Sequence, residues 1–389
     1  MKKICFFTNS MFKIGGEQRI TSMIANELVN NNYDVTIIIK CKEKIDYDLY
    51  NLSKQINLIF LDMNYDFRLN NIKLFEILRI INRKKGVFKN NSRLIRHFFC
   101  SNKMLRRLKE LFRNNCYDVV IGVAGDRSFI LSYLKKHIKG KLIFWNHMNF
   151  DAHFKNKGSR YYNEESFIRP LFNNFDYIIN LNQDDVYKFK KYYNVDSNVI
   201  YNCKSFTSDK KSKLNNYKFI SCGRLVEQKG FENLIEIMRF FVLHNKQYKL
   251  DIYGDGSLKN RLLEKIEEYK LNDYINIYPA NKDIEKLYFN YDLYLNTSIY
   301  EGFGLVTLEA LECGVPVIGF DIPANRTIIE DNKTGKLIRC YDNEKYSQTM
   351  IDLLKNKNLL KEYQKNISKS IEKFNIDLII KEWIRIIEK

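Results

Sequence analysis

Short apolar runs recur along this chain, each ending in a loop of small or polar residues and followed by helical spacing. That alternation narrows the fold more than any other feature. Residues 3–8 read as a buried strand, a short loop carries Gly15 and Gly16, and 17–30 place Ile20, Met23, Ile24 and Leu28 on one helical face. Residues 35–39 supply the next strand, so the segment is a β-loop-α-β unit. Such a unit implies a parallel sheet with right-handed crossovers. Further strands are expected at 119–123, 142–145 and 177–180. The second half repeats the plan, with strands at 219–222, 250–253, 275–278, 293–296 and 317–320 and helices at 231–242, 258–269 and 305–313. Gly314 stops the last of these helices and Pro316 prevents its continuation. The polar stretch 198–216 joins the halves, and a chain of 389 residues has room for two domains, 1–200 and 201–374.

Charge and cysteine usage bound the setting. No window holds the ~18 consecutive apolar residues of a membrane span, and the apolar run at the N-terminus is too short for a signal peptide. The eight cysteines are dispersed without a C-x-x-C pair. That argues against a disulfide framework or a zinc site and suits a reducing cytoplasm. The formal net charge is +18. The richest block, 83–113, holds Arg83, Lys84, Lys85, Lys89, Arg93, Arg96, Lys103, Arg106, Arg107, Lys109 and Arg113, with Glu110 its only acid. Such a block suits either a solvated face or an anionic surface. The interleaved Leu94, Ile95, Phe98, Phe99, Leu105 and Leu108 suggest amphipathic helix, which tips the reading toward an anionic membrane surface. No RNA- or DNA-recognition motif accompanies the charge, so no nucleic-acid partner is expected.

Two segments carry chemistry. Glu301-Gly302-Phe303-Gly304-Leu305-Val306-Thr307-Leu308-Glu309 follows a strand and opens a helix. Gly302 and Gly304 let the backbone approach a ligand closely, and the free N–H groups of a helix start suit a diphosphate. Glu309, inside the helix, can reach ribose hydroxyls, and Glu301, on the loop, can reach those of a sugar. Taken alone, the same acids fit a glycine-rich turn with two solvated glutamates. Gly223-Arg224-Leu225-Val226-Glu227-Gln228-Lys229-Gly230 also follows a strand and precedes a helix. Arg224 and Lys229 are cations suited to a pyrophosphate, Arg224 bidentately and Lys229 as a point charge. A basic surface loop is the alternative.

Together these segments resemble the retaining glycosyltransferases of family 4. The match includes 223–230, the turn Tyr253-Gly254-Asp255-Gly256, and 301–309 running into Ala310-Leu311-Glu312-Cys313-Gly314-Val315-Pro316-Val317. Gly15-Gly16-Glu17-Gln18-Arg19 looks like that family's N-terminal glycine loop. The resemblance is specific over 219–337 and loose over 41–118. It implies an α/β GT-B fold, two Rossmann-like domains facing a central cleft, the first binding the acceptor and the second the nucleotide sugar. A terminal helix at 375–389, carrying Trp383, would pack back on the first. It also implies roles. Arg224 and Lys229 hold the donor diphosphate, Glu309 binds the ribose, and Glu301 contacts the transferred sugar. The backbone at Phe303, Gly304 and Leu305 lies near phosphates and sugar, and Gly16 faces the donor. His147, in Trp145-Asn146-His147-Met148-Asn149, resembles the family's active-site histidine. A lone histidine is often structural, but this one follows a strand, where parallel sheets place their sites. His97, His137, His153 and His244 read as structural. The sequence departs from the family at Pro279-Ala280-Asn281 and at Asp321-Ile322-Pro323-Ala324-Asn325, so contacts from those loops are not carried over.

The activity implied is transfer, with retention, of a hexose or N-acetylhexosamine from a UDP-sugar to a glycan or lipid-linked glycan in bacterial surface polysaccharide synthesis. No cofactor or metal is expected, since Arg224, Lys229 and a helix start can offset the diphosphate charge. The place of work would be the cytoplasm, peripheral on the inner face of the membrane. Three rivals stand beside this reading. Asp46-Tyr47-Asp48 has the spacing of a metal-binding Asp-x-Asp but sits in a polar stretch past the second strand and reads as loop. A nucleotide-sugar epimerase or a phosphorylase shares the fold class. A basic nucleic-acid-binding protein is the third.

Overall fold

The computed structural model describes residues 1–61, 71–157, 159–281 and 283–389. The chain divides into two compact units, Met1–Tyr201 with Ile380–Lys389, and Asn202–Ile379. Each is built on one wholly parallel sheet.

In the first unit the strands are β1 (Lys3–Thr8), β2 (Asp34–Ile39), β3 (Asn57–Phe60), β4 (Val119–Val123), β5 (Lys141–Trp145), β6 (Tyr177–Asn180) and β7 (Asn198–Val199), in the order β3-β2-β1-β4-β5-β6-β7. The second unit orders β8 (Lys218–Cys222), β9 (Lys249–Tyr253), β10 (Ile275–Tyr278), β11 (Leu293–Asn296), β12 (Val317–Phe320) and β13 (Gly335–Ile338) as β10-β9-β8-β11-β12-β13. The central strands read as unbroken apolar runs because helices cover both sheet faces. Ile4, Phe6, Val120, Ile143, Phe219 and Leu295 are all fully buried.

In both units the strand order reverses direction at one place, between β1 and β4 and between β8 and β11. Crossovers on either side of such a point leave from opposite faces of the sheet. The loops past the two strand ends therefore splay apart and open a crevice, where ligands of open α/β sheets bind. The loops leaving β8 and β11 are the two glycine-bearing segments, 223–230 and 297–304.

Most of the terminal helix Ile376–Glu388 belongs to the first unit, which takes in Ile380–Lys389. Trp383 is fully buried and meets Trp145 edge-on, with ring centroids 4.8 Å apart. At the other end of β5, Lys141 Nζ donates to the carbonyl of Ile387 at 3.0 Å, and Lys2 pairs with Glu388 at 2.6 Å. The helix thus runs along the sheet from the C-terminal to the N-terminal end of β5.

The basic block forms the end of the helix Asn71–Lys85 and the helices Ser92–Phe99 and Asn102–Asn114. Its interleaved apolar residues differ in role from the expected surface face: Ile95, Phe99, Leu105 and Leu108 are buried in the first unit's core. Asp46 accepts at Oδ1 from the N–H groups of Asp48 and Leu49, both at 3.2 Å, and so caps the short turn Tyr47–Leu49.

Trp383→Ala removes the largest side chain that the terminal helix buries and is expected to cost about 3–5 kcal/mol. Urea unfolding of the first unit should show an earlier midpoint, and an unchanged midpoint contradicts this packing.

Candidate active site

The loop after β8 is braced by the turn 253–256. The Gly223 N–H donates to Tyr253 O at 3.0 Å, and Leu225 exchanges backbone hydrogen bonds with Asp255 and Leu258. A short turn, Glu227–Lys229, then brings the chain to Gly230, which sits left-handed at φ +63° before the helix Phe231–Val242. A Cβ there would lie 2.1 Å from the carbonyl oxygen of Thr297, so only glycine fits both the dihedral and the approach. That approach zips the two site loops together. Thr297 Oγ1 donates to Lys229 O at 3.2 Å, the Ile299 N–H donates to Gln228 O at 2.9 Å, and Gln228 Nε2 donates to Tyr300 O at 2.9 Å.

The loop after β11 has its own internal frame. Buried Asn296 donates through Nδ2 to Thr307 Oγ1 at 2.8 Å and to Asn325 Oδ1 at 3.2 Å, while its Oδ1 accepts from the Ser298 N–H at 2.9 Å. Within this frame Lys229 Nζ pairs with Glu301 Oε1, and Ser298 Oγ donates to the same oxygen at 2.8 Å. The ammonium and carboxylate side chains are 13% and 9% exposed. At that depth an unpaired charge is costly, so the contact ties the two side chains to one place. Gly304, left-handed at φ +93°, opens the helix Leu305–Glu312, and no side chain caps it. Its first N–H groups and the positive end of its dipole are therefore left for a ligand. Phe303 packs edge-on against Phe374. Glu309 is 4% exposed and accepts from the Tyr288 hydroxyl at 3.4 Å. Neither acid is solvated. Arg224, by contrast, is exposed, and among the described residues its guanidinium has no ion pair or hydrogen bond. The second unit thus brings Lys229, Glu301, the 303–305 backbone and Glu309 onto two adjoining loops and one helix. Ser298 and Asn296, which fix them, carry no sequence signature beyond lying close before Glu301.

Gly16 and His147 belong to the first unit. Gly16 begins the helix Gly16–Asn30 past β1, and the Gly15 N–H donates to the Tyr50 hydroxyl at 2.8 Å. Next to it Glu17 pairs with Arg127 at 3.1 Å, and Arg127 Nε donates to Val123 O at the end of β4. This ion pair joins the two strands of the first unit's reversal point, and the sequence reading did not single it out. His147 follows β5 on a turn shaped by Asn146, whose Oδ1 accepts from the Met148 N–H at 3.1 Å and whose Nδ2 donates to Asn180 Oδ1 at 2.8 Å. The ring lies 4.3 Å from that of Trp145, and its Nε2 is buried without a hydrogen-bond partner. Burial, aided by the Arg127 charge, pushes its pKa down to about 3. The imidazole is therefore neutral near pH 7 and presents one donor and one acceptor nitrogen.

Residues 204–370 match the family model described as "Glycosyl transferases group 1". The S. agalactiae GtfA subunit of UDP-N-acetylglucosamine--peptide N-acetylglucosaminyltransferase is 32% identical over 215 residues, which is 50% of this chain and 41% of that protein. The chain thus matches less than half the length of that relative. An uncharacterized glycosyltransferase of Haemophilus influenzae is 23% identical over 98% of this chain and 99% of its own. The solved structure of S. aureus TarM with Fondaparinux, alpha-GlcNAc-glycerol and UDP superposes at a TM-score of 0.78 with 17% identity over 100% of both chains. The fold is that of the GT-B glycosyltransferases, two parallel-sheet α/β domains.

Two tests follow from the geometry. Lys229→Met leaves Glu301 buried and unpaired and should cost about 3–5 kcal/mol. Adding Glu301→Gln should return most of that loss, and a double-mutant cycle with no coupling contradicts the pair. For His147, the unfolded chain takes up a proton below about pH 6.5 that the folded ring refuses until near 3. Its contribution to stability is complete above the ordinary histidine value and is lost as pH falls. His147→Gln should therefore shrink the drop in Tm between about pH 7 and about pH 4. His153, pushed down to about 4 chiefly by burial, leaves a residual slope.

Proposed function

We propose that this chain is a retaining glycosyltransferase. It would move a hexose or N-acetylhexosamine from a UDP-sugar to a glycan or lipid-linked glycan of a bacterial surface polysaccharide. The observation that carries the reading is the Lys229–Glu301 pair beside an uncapped helix start at the reversal point of the second sheet. A diphosphate needs cations and free N–H groups, and a sugar needs a fixed carboxylate. That loop system supplies each. The names of the relatives support the donor: UDP-N-acetylglucosamine for the S. agalactiae protein and UDP bound in TarM.

In this reading Arg224 and Lys229 hold the diphosphate, the amides at Phe303, Gly304 and Leu305 approach its oxygens, and Glu309 takes the ribose. Lys229 leaves Glu301 for phosphate as the donor binds, which frees the carboxylate for the sugar hydroxyls. On the family resemblance, Gly16 is assigned to face the donor and His147 is assigned a catalytic role. The bond between the anomeric carbon and the β-phosphate oxygen breaks as the acceptor oxygen bonds the same face of that carbon. The acceptor's proton passes to the departing phosphate, and UDP leaves. Charge grows on that phosphate in the transition state, where fixed cations and N–H groups stabilise it most. No metal is required for the step, because two cations and a helix start do its electrostatic work.

A thermal-shift panel of nucleotides and nucleotide sugars tests the proposal, since a ligand specific to the folded state raises Tm. UDP and one or more UDP-sugars should raise it, and Arg224→Ala should weaken that shift. With the donor so identified, transfer should survive EDTA and fall about 10²–10³-fold in Glu301→Gln. A Tm indifferent to every nucleoside diphosphate overturns the reading.

A further inference from the structure

The helix Asn71–Lys85 is docked the wrong way round for a surface helix. Two of its polar side chains, Arg79 and Asn82, face the protein. Arg79 makes a two-pronged ion pair with buried Glu164, with Nε–Oε1 at 2.7 Å and the second contact at 2.8 Å. Asn82, fully buried, exchanges amide hydrogen bonds with Asn163 at 2.9 and 3.0 Å. Phe75 stacks on His97 with ring centroids 5.1 Å apart. These contacts fix the rotation of the helix about its axis. The opposite face then carries Leu74, Ile77, Ile80 and Ile81, which are 48%, 54%, 47% and 37% exposed. At 100° per residue these four fall within about a third of the helix circumference, one continuous stripe. Val87, 60% exposed, follows just past the helix end.

Large apolar side chains gathered on one solvent-facing stripe mark an interaction surface. The charges around this one say which kind. Lys84, Lys85, Lys89 and Arg93 are exposed beside or just after it, and Glu76 is the only acid from 71 to 93. A second copy of the same face would bring like charges together. A helix of 15 residues is about 22 Å long, too short to cross a bilayer, and no described helix is long and apolar enough to do so. We propose that this face is a membrane-docking surface. The helix lies in the plane of an anionic phospholipid bilayer with Leu74, Ile77, Ile80 and Ile81 sunk among the acyl chains and the cations at 84–93 on the headgroups. Here the helices at 92–114, whose apolar residues are largely buried, contribute charge rather than insertion. The surface stands on its own contacts and rests on the glycosyl-transfer reading only for its use, bringing the protein to a lipid-linked acceptor.

The test is vesicle flotation of the full chain without nucleotide, so failure here leaves the transfer reading intact. The protein should float with vesicles of phosphatidylglycerol and phosphatidylcholine and stay behind with phosphatidylcholine alone. Ile77→Asp/Ile81→Asp should weaken binding at least about tenfold while leaving the melting curve unchanged, because both sites are exposed. Lys84→Ala/Lys85→Ala should weaken it less and flatten its salt dependence. Trp145 and Trp383 are buried, so Ile77→Trp adds the one indole that brominated lipid should quench. Binding to neutral vesicles as strong as to anionic ones, no vesicle binding at all (as for a surface that meets an acidic protein), an unaffected aspartate variant, or an unquenched Trp at 77 each overturns the proposal.

Discussion

The second unit is organised around one buried contact, the ammonium of Lys229 against the carboxylate of Glu301. Neither group tolerates that depth alone. Their meeting requires the loops after β8 and β11 to stay in register, and the zipper of Gly230, Thr297, Gln228 and Ile299 imposes that register through the backbone. Asn296 anchors the second loop from beneath, and Ser298 fixes the shared carboxylate oxygen. The pair is also poised for exchange. Under the proposed function, a phosphate arriving at the uncapped start of the helix Leu305–Glu312 would draw Lys229 away and leave Glu301 free for the sugar.

The two units share a plan and differ in equipment. Each has its reversal point between an early strand and the fourth in sequence, and each places a glycine-bearing loop past the first of these strands. In the first unit the reversal point is bridged by Glu17 and Arg127, with the neutral ring of His147, its Nε2 without a hydrogen bond, on the turn after the next strand. The cations and the helix start that suit a diphosphate sit in the second.

Much of this was legible in the sequence, for physical reasons. Central strands such as β1, β4 and β8 are covered on both faces, so they appear as apolar runs. The edge strands β7 and β13 are short and half exposed, and they gave no such run. Glycines at 230 and 304 are required by left-handed dihedrals, and the first also by the close approach of Thr297, which is why the loop segments stood out. Asn296 and Arg127 act through hydrogen bonds to residues 29 and 110 positions away, and spacing carries no trace of that. The basic block shows the limit of periodicity most clearly. The apolar residues at 95, 99, 105 and 108 suggested an outward face but fill the core. The exposed stripe belongs to the preceding helix, whose rotation is decided by Arg79 and Asn82 finding partners more than eighty residues away.

The most direct test is a crystal structure of the complex with UDP. The β-phosphate should lie against the backbone N–H groups at the start of the helix Leu305–Glu312, with Lys229 and Arg224 on its oxygens and Glu301 released. UDP bound elsewhere, with the Lys229–Glu301 pair undisturbed, would contradict the assignment of that loop system to the donor.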